Sequence, residues 1–500
     1  MDPQRTLDAM DPSYESEAPS LGSLLKPNLL SEWSWTLGYT AILSTVTVLR
    51  YHVWLATGWD MGFNLQALWL LAHRGVLAVS PYIGHPVLAD AASYILVLLA
   101  PLYSVGGVGF LLVLQAFALG LGYVFARRIA ERLGVAPQWA HLVGALYLIY
   151  PTVLGANLYD FHPDVLAVPL LFAVIWTALE EKWIWYAVLL LFALLVKDTM
   201  PIVVVGLGIT MLLRRNWTVG VLTLLAAVGT LGLDVLVVIP RLLHGTMTQW
   251  LTDYGGLGAT PSDFVLHVVR DPLVLVAWAR QVRSWEYLAW ILGPVAVLVA
   301  LGRGRALSAF WVPVLFMLET NLLANSGITT DPFNQYTLFA VPFLFAVVLE
   351  GIAGAELANP AWRRAAGVLP LIFLLMFVWH VHGPDWSDQP ANSRALTAAA
   401  DMIPRDARVV APNVLAAYFA DRAWEGLPAN VIGTTLPKGT YVIFNATDPL
   451  ALVDPDPAGS DGAVLRAVSR AGYAKIIYRR DHVIVYKVNR PVAITPRGAR

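Results

Sequence analysis

Residues 36–69 read TLGYTAILSTVTVLRYHVWLATGWDMGFNLQALW. The first part, 36–56, is apolar and long enough to cross a bilayer as a helix, which takes about 20 residues. An acid, Asp60, follows directly, with Gly58 and Gly62 flanking it so that backbone or a substrate can come close. The residues after it, 63–73, are amphipathic and too short to span, which suits a helix lying in the interface. The stretch therefore reads as a span, a carboxylate at the water–lipid boundary, and an interfacial helix.

The rest of the 500-residue chain extends this reading. It is 57% hydrophobic and 13% charged, where soluble domains carry roughly 25% charged residues. So few charges cannot clothe a soluble protein, so soluble, disordered, collagenous and coiled-coil classes are excluded. A formal net charge of −1 supplies no field for nucleic acid, which is not expected as a partner. The absence of cysteine excludes disulfides, thiolate metal sites and cysteine nucleophiles.

The expected fold is an α-helical polytopic membrane protein with a small C-terminal α/β domain. Residues 1–35 form a polar tail, 36–382 the transmembrane core, and 383–500 an extracytoplasmic domain of ordinary composition. About eleven spans are expected, near 36–56, 108–126, 138–153, 164–180, 184–197, 199–213, 218–239, 286–301, 307–323, 334–351 and 366–382. Arg127, Arg128, Arg132, Lys182, Arg214, Arg215, Arg303, Arg305, Arg363 and Arg364 all fall in joints on one side, while the connections opposite near 57–107, 154–163 and 324–333 carry only Arg74. The basic side is cytoplasmic, which puts the N-terminus inside and the last domain outside. This holds only if 87–103 (VLADAASYILVLLAPLY) is not a span but lies on the outer leaflet. Long outer connections are then expected at 57–107 and 241–285. In the last domain, 408–412 and 440–445 read as strands, 393–403 and 463–473 as helices, and 474–488 as a hairpin turning at Arg480-Asp481.

Polar groups at membrane depth are costly and need reasons. Asp60 is either a general base or metal ligand, or the N-cap of the helix that follows; Asn64 lies four residues on. Asn157-Leu158-Tyr159-Asp160-Phe161-His162-Pro163-Asp164 sets two acids and a histidine within five residues. His162 and Asp164 can hold a divalent metal, or Asp160 can orient His162, or one of them caps the helix opened by Pro163. Lys197-Asp198 follows an apolar run, where Lys197 is either a phosphate partner or a snorkelling helix-end residue. Arg241 can hold an anionic head group, and His85, Gln66, Gln335 and Tyr336 are weaker binding candidates. Each alone has the plainer reading of an interfacial residue. Together these groups fall on the outer face, which points to an extracytoplasmic active site.

The same segments carry a family resemblance. Residues 60–69 (DMGFNLQALW), Gly84-His85-Pro86 with Leu99-Ala100-Pro101-Leu102-Tyr103, Tyr159-Asp160-Phe161-His162-Pro163-Asp164, and Leu195-Val196-Lys197-Asp198 resemble the prokaryotic multi-pass family of domain of unknown function 2079. The similarity runs from roughly residue 40 to beyond 350. Departures are Gly84 in place of Asn, a single Asp198 in place of an acid pair, and Gln335 where a histidine often precedes the tyrosine. That family in turn resembles the GT-C glycosyltransferases, which use polyprenyl-phosphate-linked sugars. The resemblance implies Asp60 as general base toward a glycan or lipid acceptor. It also implies Lys197 and Arg241 at the phosphate, and Asp160, His162, Asp164 and Asp198 at a metal or acceptor. A lipid or polysaccharide transporter and a non-enzymatic envelope scaffold are the competing classes.

Overall fold

A computed structural model of the chain describes residues 29–243, 284–301, 308–324, 327–353, 389–446, 459–470 and 472–495, with a few scattered positions between 266 and 375. Helix α1 runs Leu29–His52, beginning inside the stretch that the sequence assigns to the polar tail. Its hydroxyls are absorbed by backbone carbonyls: Thr40 Oγ1 donates to Thr36 O at 2.7 Å and Thr47 Oγ1 to Leu43 O at 3.0 Å. Thr36 Oγ1 donates instead to Gly120 O, 3.0 Å away on a neighbouring helix. At Gly120 a Cβ would come within 3.1 Å of the Thr36 carbonyl, so glycine sets this close approach.

After a π-helical turn at Gly58–Gly62 come α2 (Phe63–Arg74), α3 (Leu88–Ala91) and α4 (Ile95–Arg132). Helix α4 breaks at Gly107, where φ is 62° and ψ −160°. The segment before the break rises only about 18 Å at 1.5 Å per residue, short of the roughly 30 Å hydrocarbon core. Residues 95–106 alone are thus shorter than a span, and 95–132 counts as one crossing stretch.

Helices α5 (Pro137–Leu148) and α6 (Pro151–Leu158) are one apolar stretch bent by 43°, the bend falling at Pro151 as expected for a residue without an N–H. They are followed by a 3-10 turn at Pro163–Leu166, then α7 (Ala167–Leu179), α8 (Trp183–Leu194), α9 (Met200–Leu213) and α10 (Trp217–Leu233). A π-turn carries α10 on into α11 (Ile239–Leu242). Next come α12 (Ser284–Leu301), α13 (Trp311–Leu323) and α14 (Val341–Ala353). A 3-10 turn at Gln335–Ala340 leads into α14.

Among the described residues three helical stretches are long and apolar enough to cross a membrane, Ile95–Arg132, Trp217–Leu242 and Gln335–Ala353, or four if the bent α5–α6 pair counts as one. The chain is a multi-pass membrane protein, but several of the eleven expected spans are helices of only 12–14 residues. The expected span at 366–382 and most of the 241–285 connection lie outside the described residues.

The break between α8 and α9 has its backbone satisfied by another segment rather than by helix. Ile95 N–H donates to Leu195 O at 2.8 Å and Asp198 N–H to Ala91 O at 3.0 Å, and Ser93 Oγ donates to Val196 O at 2.7 Å. Irregular backbone survives in an apolar surrounding only when it is paired in this way. The pairing draws the α3–α4 connection onto the Lys197-Asp198 pair.

The C-terminal residues build a five-stranded sheet in the order β2-β1-β4-β6-β5, from β1 (Val409–Val410), β2 (Glu425–Gly426), β4 (Tyr441–Asn445), β5 (Ala474–Arg480) and β6 (Val483–Val488). A small second sheet pairs β3 (Thr435–Leu436) with β7 (Val492–Ala493). Helices α15 (Ser393–Asp401), α16 (Asn413–Ala416) and α17 (Ser460–Val468) complete this part. The β5–β6 turn falls one residue later than expected, on Asp481 and His482, both at positive φ, the backbone that a tight hairpin needs.

Candidate functional site

Asp60 sits in the π-turn between α1 and α2, and its carboxylate caps nothing: the N-cap of α2 is Gly62, without a side-chain cap. Instead Asp60 Oδ1 lies 3.0 Å from His162 Nε2. Its Oδ2 accepts the Tyr159 hydroxyl at 3.0 Å and the Thr57 hydroxyl at 3.3 Å. The turn is held from below by Asn64, whose Nδ2 donates to Asp60 O at 2.9 Å and to Phe161 O at 3.1 Å. On its other side it meets the C-terminal sheet region. Asn413 Oδ1 accepts the Trp59 N–H at 2.8 Å, and Tyr418 Oη accepts the Ala56 N–H at 2.9 Å.

A second layer fixes the first. Asp160 is fully buried, forms an ion pair with Arg50 from the end of α1, and accepts Thr57 N–H at 2.8 Å and Thr57 Oγ1 at 2.7 Å. The Asp160 backbone carbonyl lies 3.0 Å from His162 Nδ1, which aims the opposite ring nitrogen at Asp60. Gln115 of α4 braces the loop, its Oε1 accepting the His162 N–H at 3.3 Å. Burial by itself would raise the Asp60 carboxyl, but the His162 hydrogen bond and charge, with Tyr159 and Thr57, hold it below its ordinary value. Burial would likewise lower His162, yet Asp60 keeps the imidazole above its ordinary value. Each partner therefore favours the charged form of the other, and the pair is part-open to solvent on the Asp60 side.

The Lys197-Asp198 pair lines a separate cavity of about 200 Å³, with Asp90, Asp164, Asn321 and Tyr336 among its walls. Lys197 Nζ is bound to Asp164 Oδ1 at 2.9 Å and lies 5.0 Å over the Tyr336 ring. Burial opposes the lysine charge, but Asp164 more than restores it and its pKa is raised. Asp198 is pushed up to about 7, first by burial and then, against the opposing charge of Lys197, by Asp90, Asp234 and Asp164. The two sites share one segment, since His162 faces Asp60 while Asp164, two residues on, faces Lys197.

The structure thus brings Asp60, Asn64, Asp160 and His162 into one constellation, and Asp164, Lys197, Asp198 and Tyr336 into another. It does not bring His162, Asp164 and Asp160 onto one point: each has a different partner. Among the described residues no three His, Asp or Glu side chains converge to hold a metal. Gln66 is fully buried and occupied inside the protein, with Nε2 donating to Glu425 O at 2.8 Å and Oε1 accepting Ser80 Oγ at 3.0 Å. It therefore ties α2 to the sheet and does not face either site. His85 lies with Nδ1 3.2 Å from Pro86 O, Gln335 is buried at the start of its 3-10 turn, and Arg241 is exposed on α11. Sequence reasoning missed Arg50, Thr57, Asp90 and Gln115. Arg50 was legible as a charge inside an apolar span; the other three carry no local signal.

A profile of the family described as predicted membrane protein (DUF2079) matches residues 50–454. Among solved structures, a crystal structure of ArnT from Cupriavidus metallidurans bound to undecaprenyl phosphate is similar over 90% of this chain and 98% of that chain, at 13% identity and a TM-score of 0.50. The apo state of the same ArnT has the same coverage and identity with a TM-score of 0.49. At this identity the likeness is one of fold. No curated protein matches the sequence.

Proposed function

The chain belongs to the DUF2079 family of predicted membrane proteins, and we propose that it acts as a GT-C type glycosyltransferase. In this reading it moves a sugar from a polyprenyl-phosphate-linked donor to an acceptor hydroxyl at the extracytoplasmic face. The observation that carries it is the Asp60 carboxylate, buried on one side, open on the other, and kept ionised by His162, Tyr159 and Thr57. Support for the donor class comes from the ArnT fold likeness, ArnT being a protein crystallised with undecaprenyl phosphate.

The chemistry follows from the carboxylate. The acceptor oxygen attacks the anomeric carbon while Asp60 takes the acceptor proton. The bond from the anomeric carbon to the phosphate oxygen breaks, its electron pair leaves with the polyprenyl phosphate, and the configuration inverts. His162 holds Asp60 in the ionised state and in position; Asp160 and Arg50 hold His162 and the turn. Arg241 is exposed on α11, which packs against α3. It is the cation we assign to the leaving phosphate, whose developing charge it would offset. Lys197, occupied by Asp164, is a structural charge in this account.

Asp60→Asn tests the reading in cells. The variant is expected to accumulate lipid-linked sugar and to lack a class of envelope glycan, with protein abundance unchanged. Unaltered glycans and lipid-linked pools in a folded Asp60→Asn strain would remove the glycosyltransferase reading. Mass spectrometry of lipid that copurifies with the wild type is expected to find a polyprenyl phosphate.

A further inference from the structure

We propose that the cavity at the α8–α9 break binds the protonated amine of a substrate, with Asp198 as the carboxylate that receives it. The cavity, about 200 Å³, has room for a group the size of a sugar ring. Asp90, Asp164 and Asp198 contribute three carboxylates to its wall against one ammonium, Lys197. That ammonium is already engaged by Asp164 at 2.9 Å. Asp198 is only 5% exposed and opens onto the cavity. Its carboxylate makes no hydrogen bond or ion pair among the described residues. An orphaned buried carboxylate is costly, and a ligand that brings a charged donor removes the cost.

The other polar wall groups supply one neutral donor at most, the Thr199 hydroxyl, since the rest are directed elsewhere. Asn321 Nδ2 is directed to Tyr287 Oη at 2.9 Å and Tyr336 O at 3.2 Å. Thr320 Oγ1 donates to Phe316 O at 2.7 Å and Thr329 Oγ1 to Asn321 O at 3.0 Å. The wall is rich in acceptors and poor in free donors, so its occupant must donate. A phosphate would meet repulsion from the unpaired acids. A metal ion lacks three converging ligands among the described residues. An ammonium needs no such convergence and is matched by one or two carboxylates at hydrogen-bond distance.

This inference rests on the transferase reading only for the source of the amine, which would belong to the sugar or the acceptor. The test is therefore a binding measurement on the full chain in lipid nanodiscs. Thermal unfolding is followed with glucosamine, N-acetylglucosamine and glucose as probes, for wild type, Asp198→Asn, Asp90→Asn and Asp60→Asn. Glucosamine is expected to raise Tm with concentration in wild type and in Asp60→Asn, and the other two sugars to leave it unchanged. Asp198→Asn is expected to abolish the shift. Should that variant not fold, Asp90→Asn is expected to weaken binding at least ~10-fold, the loss of one charge-assisted hydrogen bond. Equal shifts with N-acetylglucosamine, an unchanged response in the folded Asp198 variant or an unchanged affinity in Asp90→Asn, or no glucosamine response in wild type would each overturn the proposal. So would a shift by Mn²⁺ that Asp198→Asn removes. A wild type that binds glucosamine but transfers no sugar sinks the transferase reading alone.

Discussion

Asp60 and His162 form a pair whose behaviour with pH follows from the directions of their shifts. His162 lies above its ordinary 6.5, so its stabilising contribution is complete below that value and is lost as pH rises through the raised one. Asp60 lies below its ordinary 3.8, so its contribution is present above that value and is lost as pH falls through the depressed one. The pair is intact between these limits. In His162→Gln the imidazole is gone and burial acts on Asp60 with less opposition. The acid limb of the pH–rate profile should then move to higher pH; an unmoved limb would show that His162 does not tune the base. Replacing Asp60 by Asn should cost about 10²–10⁴-fold in turnover, the range for a positioned general base. Both residues stood out in the sequence as polar groups beside apolar spans. Their contact across 102 positions did not, because no local pattern records which loops meet.

The turn that carries Asp60 is fixed by elements rather than by its own sequence. A Cβ on Gly62 would meet the Tyr82 hydroxyl at 2.5 Å and the Ala417 backbone at 3.2 Å. Gly62→Ala should therefore lower kcat several-fold by shifting the π-turn while the membrane helices keep their helicity by circular dichroism. The Arg50–Asp160 pair is the stronger anchor. Removing one side, as in Asp160→Ala, leaves Arg50 uncompensated in a buried place and should destabilise the protein by about 3–5 kcal/mol, read as a lower unfolding temperature. Helices α1, α2 and α7 and the β5–β6 hairpin were legible because each shows a clear apolar run or alternation. The splitting of 95–132 at Gly107 was legible only through the charge balance of the loops. The short helices α8 and α9 read as spans because hydropathy reports apolarity and not whether a stretch reaches both faces.

Across the whole molecule, the C-terminal sheet is seated on the connection that bears Asp60, through Asn413, Tyr418, Glu425 and Asn430. The strand patterns pointed to a small sheet here but gave no sign that it braces the site. Glu425 is fully buried in that seam beside Tyr82, and burial pushes its carboxyl up to about 8. The chain has no cysteine, which makes its topology directly readable. Asp481→Cys should react with a membrane-impermeant maleimide on intact cells, and Arg215→Cys only after permeabilisation. The reverse pattern would put the sheet and Asp60 on the cytoplasmic side. The central claim is that Asp60 drives sugar transfer from a polyprenyl phosphate. The most direct measurement is release of polyprenyl phosphate by purified protein given lipid-linked sugars and acceptor glycans extracted from its native membrane. Wild type should release it and Asp60→Asn should not; equal release by the two proteins, or none by wild type, would refute the transferase assignment.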